Sequence, residues 1–168
     1  METKKITRSA VLIAVGIILP MLFHNFGISG KIFLPMHFPP LIAGFIVGPV
    51  YGAIIGFVLP LINFAINGMP AMPMAALMSV ELAIFGLVTG LLYAKFKYPF
   101  AISNRVKIIF SLILAMLAGR IVYSGLSAIF IEFENPLIMI AGGVSTGLPG
   151  IIGQLLLIPI IVFAIEKS

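Results

Sequence analysis

Long apolar runs separated by short polar segments make up most of this chain. A helix of about 20 apolar residues crosses the roughly 30 Å hydrocarbon core of a bilayer. The pattern therefore predicts membrane-spanning helices over residues 10–26, 50–66, 73–93 and 106–130, and a last one that ends near Ile165. The chain is predicted to be an integral membrane protein.

A sixth, shorter span is predicted within residues 31–50. Two adjacent prolines, Pro39 and Pro40, favour a helix start, and Gly48 with Pro49 ends the apolar run. The ten or so residues between them rise only about 15 Å. This segment therefore crosses the membrane only if the preceding loop enters it or the helix begins earlier.

The last apolar run has an interrupted first half. Residues 137–165 carry no charge, but Gly142, Gly143 and Pro149 favour irregular backbone. A membrane tolerates irregular backbone only where protein buries it or a cavity wets it. The final helix is therefore predicted to begin near Gly147, after an ordered loop or a half-helix.

The composition agrees with a membrane location. Hydrophobic residues make up 61% of the chain and charged residues only 9%, whereas soluble domains carry roughly 25% charged residues. A soluble globular enzyme, a nucleic-acid-binding protein and a disordered protein are therefore excluded. The prediction is an all-α membrane protein in which residues 1–168 form one domain, a compact bundle of six transmembrane helices.

The positive charges predict which side of the membrane holds the termini. Six spans place both termini on one side, and eight of the ten Lys and Arg residues then fall there. They are Lys4, Lys5, Arg8, Lys95, Lys97, Arg105, Lys107 and Lys167. Lys31, Glu132 and Glu134 fall on the other side. The positive-inside rule therefore predicts that both termini are cytoplasmic.

The groups that membrane enzymes use are missing from the sequence. There is no Gly-x-x-x-x-Gly-Lys-Ser/Thr loop to hold the phosphates of ATP, no Asp, no Cys and no close cluster of metal ligands. Neither His24 nor His37 belongs to a recognisable pairing with Ser. We therefore expect neither an enzyme nor a metal site.

Two ionisable residues lie inside predicted spans, both in the outer half of the membrane. Glu81 is about 12 Å below the outer end of its helix, and Arg120 is about ten residues below the outer end of the next one. Such a group costs on the order of 3 kcal/mol at this depth, which makes it a functional-site candidate. Two interpretations stay open: an ion pair that only locks two helices, or a pair that binds a solute.

Further polar residues are predicted at the same level. Asn63 and Asn67 lie four residues apart and share a helix face, and Tyr123 shares a face with the arginine. Gln154 falls about seven residues into the predicted last helix, and His37 lies in the loop after the first span. Their convergence predicts an outward-facing pocket, mostly apolar with a few polar anchors.

Small residues on the first helix point to a partner. Ala10 and Ala14 lie near its cytoplasmic end and form a flat patch on which another membrane helix can pack. With six helices, basic cytoplasmic ends and no ATP motif, this Ala-x-x-x-Ala pattern resembles the S component, the substrate-binding membrane subunit, of energy-coupling factor (ECF) vitamin transporters. The pantothenate-type subgroup of that family is similar in the stretches LPMHFPPLIAGF (34–45), VGPVYG (47–52), GMP (68–70) and PM (73–74) before ELA (81–83).

The resemblance implies a function and a set of partners. An S component binds a vitamin or vitamin precursor with high affinity at the outer face of the prokaryotic plasma membrane. Residues 29–38 match its gating loop, which makes Met36 and His37 lid contacts. Ala10 and Ala14 match its docking motif for a shared transmembrane subunit. Two ATPase subunits in other chains use ATP, and no cofactor is expected in this chain.

The residues favour a substrate class but leave alternatives open. Arg120 favours a carboxylate, which a guanidinium holds through two parallel hydrogen bonds, and pantothenate fits. Folate also carries carboxylates, but its pterin usually stacks on aromatic rings and Trp is absent. A neutral vitamin such as pyridoxine remains an alternative ligand if the ion pair with Glu81 leaves Arg120 unable to bind a carboxylate. The rival functions are an oligomeric channel or a proton-coupled small-solute transporter, and a structural subunit with no ligand.

Overall fold

The computed structural model describes residues 2–28, 30–95, 103–130 and 135–166, and within them the chain is helical with short connections and no strand. In chain order the elements are α1 (Glu2–Asn25), α2 (Gly30–Phe33), a 3₁₀ turn (Pro35–His37), α3 (Phe38–Ile46), α4 (Pro49–Asn67), α5 (Met74–Lys95), α6 (Asn104–Phe130) and α7 (Pro136–Glu166). Among these described elements, α1, α4, α5, α6 and α7 are long and apolar enough to cross a membrane. The all-α membrane fold is confirmed.

The short sixth span takes the form of α3 and the segment before it. The nine residues of α3 rise only about 14 Å, too little to cross alone. The preceding 3₁₀ turn is buried, and the ring of His37 packs 5.5 Å from the ring of Phe85, near the middle of α5. The chain therefore enters the bundle before α3 begins. The count of six crossings stays a prediction.

The last helix differs from the prediction. α7 runs without a break from Pro136 to Glu166. The prediction that the last helix begins near Gly147, after an irregular stretch, is therefore wrong. A continuous helix satisfies its own backbone hydrogen bonds, which lipid cannot do for a loop. Gly150 serves packing: a Cβ on this residue would lie 2.6 Å from the carbonyl oxygen of Phe33, so α2 lies directly against α7.

The contact between α4 and α5 is the most extensive between two helices of the described bundle, and glycines let the two backbones meet there. A Cβ on Gly52 would lie 2.8 Å from the carbonyl oxygen of Gly86, and one on Gly56 would overlap the carbonyl of Leu82. Close approach of this kind is what small residues at four-residue spacing provide in membranes. The sharp turn between α3 and α4 uses Gly48, whose φ of 104° suits a residue without a Cβ.

The helix ends give the bundle one basic face. Tyr51, near the start of α4, donates a 2.7 Å hydrogen bond to Glu2 at the start of α1. The guanidinium of Arg105, at the start of α6, lies 5.6 Å from the ring centre of Phe163, near the end of α7. We call this end of the bundle the basic face. Among the side chains that the structure describes, its basic residues are Lys4, Lys5, Arg8, Arg105 and Lys107. The positive-inside rule predicts that it is cytoplasmic.

Candidate substrate site

A cavity of about 240 Å³ lies between α6 and α7, and α5 and the segment from α2 to α3 supply the rest of its wall. Most of the lining is apolar, with side chains such as Ile113, Met116 and Leu117 of α6. Three polar side chains also line it: His37, Arg120 and Gln154. An apolar pocket with a few polar groups is typical of a small-molecule site, and this volume lies just below the roughly 300–1,000 Å³ usual for such sites.

Arg120 joins the cavity to a buried ion pair. Its Nε lies 3.3 Å from Oε1 of Glu81, and the side chains are 15% and 1% exposed. That oxygen accepts no hydrogen bond from any described residue, so charge attraction holds the pair without a directed N–H···O bond. The structure thus brings together both ionisable residues that the sequence singled out, and Arg120 also borders the cavity.

Tyr123 lies beside this pair, outside the lining of the cavity. Its ring centre is 6.0 Å from the guanidinium carbon of Arg120, close enough for a weak cation–π attraction. Its hydroxyl donates a 2.7 Å hydrogen bond to Sδ of Met74, at the start of α5. Tyr123 therefore ties α6 to α5 next to the arginine.

His37 is the least satisfied polar group at the cavity. Its side chain is 3% exposed, and neither ring nitrogen has a hydrogen-bond partner among the described residues. A buried polar group without a partner costs about 1–3 kcal/mol. The ring is held against Phe85 and lines the cavity, where a ligand atom could supply the missing bond.

Gln154 connects the segment before α3 to α7. Its Nε2 donates a 3.2 Å hydrogen bond to the carbonyl oxygen of Leu34, and Leu34 lines the same cavity. The backbone of Leu34 is left-handed, with φ 51° and ψ 47°, which costs a branched residue energy that its surroundings must repay. A Cβ on Gly147 would lie 2.9 Å from Leu34 Cδ1, so this segment closes tightly on α7.

Three other predicted site residues lie away from the cavity. Asn63 is buried and donates a 3.1 Å hydrogen bond to the carbonyl of Gly16, which joins α4 to α1, and a 3.0 Å bond to the carbonyl of Leu59 within α4. Asn67 is exposed at the end of α4, and Met36 packs in the hydrophobic core. None of the three lines the cavity. For the two asparagines, the four-residue spacing indicates a shared helix face, but it does not indicate which part of the bundle that face contacts.

The sequence pattern missed two kinds of contact. Leu34, whose carbonyl accepts the hydrogen bond from Gln154, has a left-handed backbone, for which a leucine gives no signal in the sequence. The apolar side chains of α6 and α7 that line the cavity cannot be distinguished in the sequence from apolar side chains that face lipid. The sequence predicts Gln154 about seven residues into a last helix that begins near Gly147, but the residue lies well inside the longer α7.

The predicted docking patch lies on a helix that the bundle covers poorly. Ala10 and Ala14 are both exposed on α1, and Val11 and Ile18 are more than half exposed beside them. Gly16 is the one buried residue of α1. The role of the two alanines in docking stays a prediction.

The comparison with protein families matches residues 4–165 to the ECF transporter substrate-specific component family. The chain belongs to this family. Comparisons with curated proteins and with solved structures return no match.

As a substrate-specific component, the chain is a multi-pass subunit of a transporter in the prokaryotic plasma membrane, and its family is not an enzyme family. Components of this family bind small-molecule substrates and work with a transmembrane subunit and ATPases. The family resemblance predicted from the sequence is confirmed, and the pantothenate-type subgroup stays a prediction.

Proposed function

We propose that this substrate-specific component binds a carboxylate-bearing vitamin or vitamin precursor, with pantothenate as the favoured ligand, in the cavity between α6 and α7. The observation that carries the proposal is the position of Arg120, whose side chain borders this apolar cavity beside His37 and Gln154. A guanidinium in such surroundings recognises a carboxylate through two parallel hydrogen bonds.

The two ends of the guanidinium have different neighbours. Nε is the nitrogen that faces Glu81, whereas Nη1 lies toward Gly143 of α7, where a Cβ would be 3.3 Å away. The ion pair therefore neutralises the arginine from the α5 side. The Nη end, between α6 and α7, is the one that a ligand carboxylate would approach. Glu81 positions Arg120 and binds no ligand in this proposal.

The remaining cavity suits the rest of a pantothenate molecule. Its branched carbon with two methyl groups matches the apolar wall of Ile113, Met116 and Leu117. Its hydroxyl and amide groups can bond to His37, whose ring nitrogens lack partners among the described residues, and to Gln154. The small volume supports a ligand of this size over folate, which is much larger.

Binding is proposed to be of high affinity and to take place from the face opposite the basic face. The segment from α2 to the 3₁₀ turn is proposed as the lid, with His37 and Met36 moving together when it opens. Ala10 and Ala14 are proposed to dock on the shared transmembrane subunit. ATP is proposed to act only on the two ATPase subunits, with no cofactor in this chain.

The test compares pantothenate with pantothenol, in which a CH₂OH group replaces the carboxylate. Isothermal titration of the detergent-purified chain is expected to give tighter binding of pantothenate by about tenfold or more, as expected for a lost charge-assisted contact of at least 1.5 kcal/mol. Arg120→Gln is expected to remove this difference, and Arg8→Gln, a matched change on the basic face, to preserve it. Equal binding of both ligands, or binding of neither, would contradict the proposal.

A further inference from the structure

A second hollow runs along the outside of the bundle between α6 and α7, on the basic-face side of the substrate cavity. It has a volume of about 580 Å³, and its walls include Ile109 of α6 and Leu156 and Ile160 of α7, all exposed. Leu155 borders both hollows and separates them. We call the second hollow the α6–α7 groove.

The dimensions of the α6–α7 groove match a lipid tail in one leaflet. It extends along α7 from Leu155 to Ala164, ten residues whose nine steps rise about 14 Å. One leaflet contributes about 15 Å to the roughly 30 Å hydrocarbon core. Apart from Arg105, every residue that lines the groove is apolar, so the groove receives a hydrocarbon chain well along most of its length.

The end of the groove at the basic face carries a positive charge in a defined position. The guanidinium carbon of Arg105 lies 5.6 Å from the ring centre of Phe163, and both residues line the groove. The cation–π attraction holds the charge over the end of the groove. Among the side chains that the structure describes, no carboxylate lies within salt-bridge distance of Arg105.

We propose that the α6–α7 groove binds an anionic phospholipid, with its phosphate on Arg105 and one acyl chain between α6 and α7. Charge complementarity indicates an anionic headgroup. A guanidinium pairs with phosphate through directed hydrogen bonds, and the other basic residues of this face repel a headgroup with a net positive charge. Basic residues at a membrane surface attract anionic lipids in the same way. The site is separate from the substrate cavity and does not depend on which vitamin binds there.

The absence of Trp from the chain gives a direct assay. Phe163→Trp places a single fluorophore in the groove and keeps an aromatic ring beneath Arg105. Phe57→Trp is the matched control, since Phe57 is an exposed aromatic residue on α4. Each variant is reconstituted in phosphatidylcholine vesicles that contain brominated phosphatidylglycerol or brominated phosphatidylcholine, whose bromines quench Trp fluorescence.

Quenching at Phe163→Trp is expected to show about a fivefold preference for phosphatidylglycerol, as one basic contact provides, and quenching at Phe57→Trp to show none. Adding Arg105→Ala should remove the preference, whereas adding Arg8→Ala should preserve it. Equal preference at the two tryptophans would overturn the proposal. So would an equal loss with Arg8→Ala and Arg105→Ala, because it would show diffuse attraction to the basic face.

Discussion

Removing Arg120 tests whether the buried ion pair serves folding, ligand binding or both. Arg120→Ala leaves the carboxylate of Glu81, which is 1% exposed, without its nearest positive charge. Breaking a buried pair by removing one partner costs about 3–5 kcal/mol. The lower end applies here, because Arg120 is 15% exposed and Oε1 of Glu81 has no directed hydrogen bond from a described residue.

A second substitution separates the two roles. Replacing both partners by neutral groups, as in Glu81→Gln with Arg120→Met, removes the uncompensated charge, so most of the lost stability should return. Pantothenate binding should not return, because the double variant has no guanidinium for the carboxylate. The single variant therefore loses stability and binding, and the double variant loses binding but regains most of the stability.

The assay is thermal unfolding in one detergent, followed by titration with pantothenate. A loss of about 3 kcal/mol corresponds to roughly 6–12 °C in Tm for a chain of this size, and the double variant should recover at least half of it. The reasoning is refuted if the double variant binds pantothenate as tightly as the unaltered protein. An Arg120→Ala protein as stable as the unaltered one would show that the pair adds nothing to folding.

Three further predictions concern other parts of the molecule. Gly56→Ala should destabilise the protein by about 1–3 kcal/mol, because the new Cβ overlaps the backbone of Leu82; the matched Gly153→Ala, with no atom near its Cβ, should be neutral or stabilising in the same unfolding assay, and equal losses would contradict the packing argument. Gln154→Leu removes the hydrogen bond to the carbonyl of Leu34 and the contact proposed with the ligand, so pantothenate should dissociate about fivefold faster or more in a radioligand chase; an unchanged rate would show that neither bond retains the ligand. Ala10→Leu with Ala14→Leu should abolish uptake by the complete transporter in cells while titration shows unchanged affinity, whereas Val11→Leu should preserve both; a loss of affinity would refute the docking role.

The long helices could be predicted because length and apolarity are properties of the chain itself. Both are set by the need to bond every backbone group inside the bilayer. The same need explains why the predicted start of the last helix was wrong: Gly142 and Gly143 favour irregular backbone in the sequence, but α7 continues through them. In lipid a helix keeps its hydrogen bonds through such residues. Further along α7, Gly150 and Gly147 allow close contact with α2 and Leu34.

The candidate site was predictable only in part. Glu81 and Arg120 stood out because an ionisable group inside a span is costly and needs a reason, and the structure places them 3.3 Å apart. The position of His37 at the cavity depends on a segment that enters the bundle. The partner of Gln154 is a main-chain carbonyl 120 residues away, which no local pattern can indicate.

The central claim is that the cavity beside Arg120 holds a carboxylate-bearing vitamin. Native mass spectrometry of the gently purified protein measures this most directly, after incubation with a panel of vitamins that includes pantothenate, folate and pyridoxine. One pantothenate per chain is expected on the unaltered protein and on Arg8→Gln, and none on Glu81→Gln with Arg120→Met. Retention of a neutral vitamin instead, or of pantothenate by the double variant, would contradict the claim.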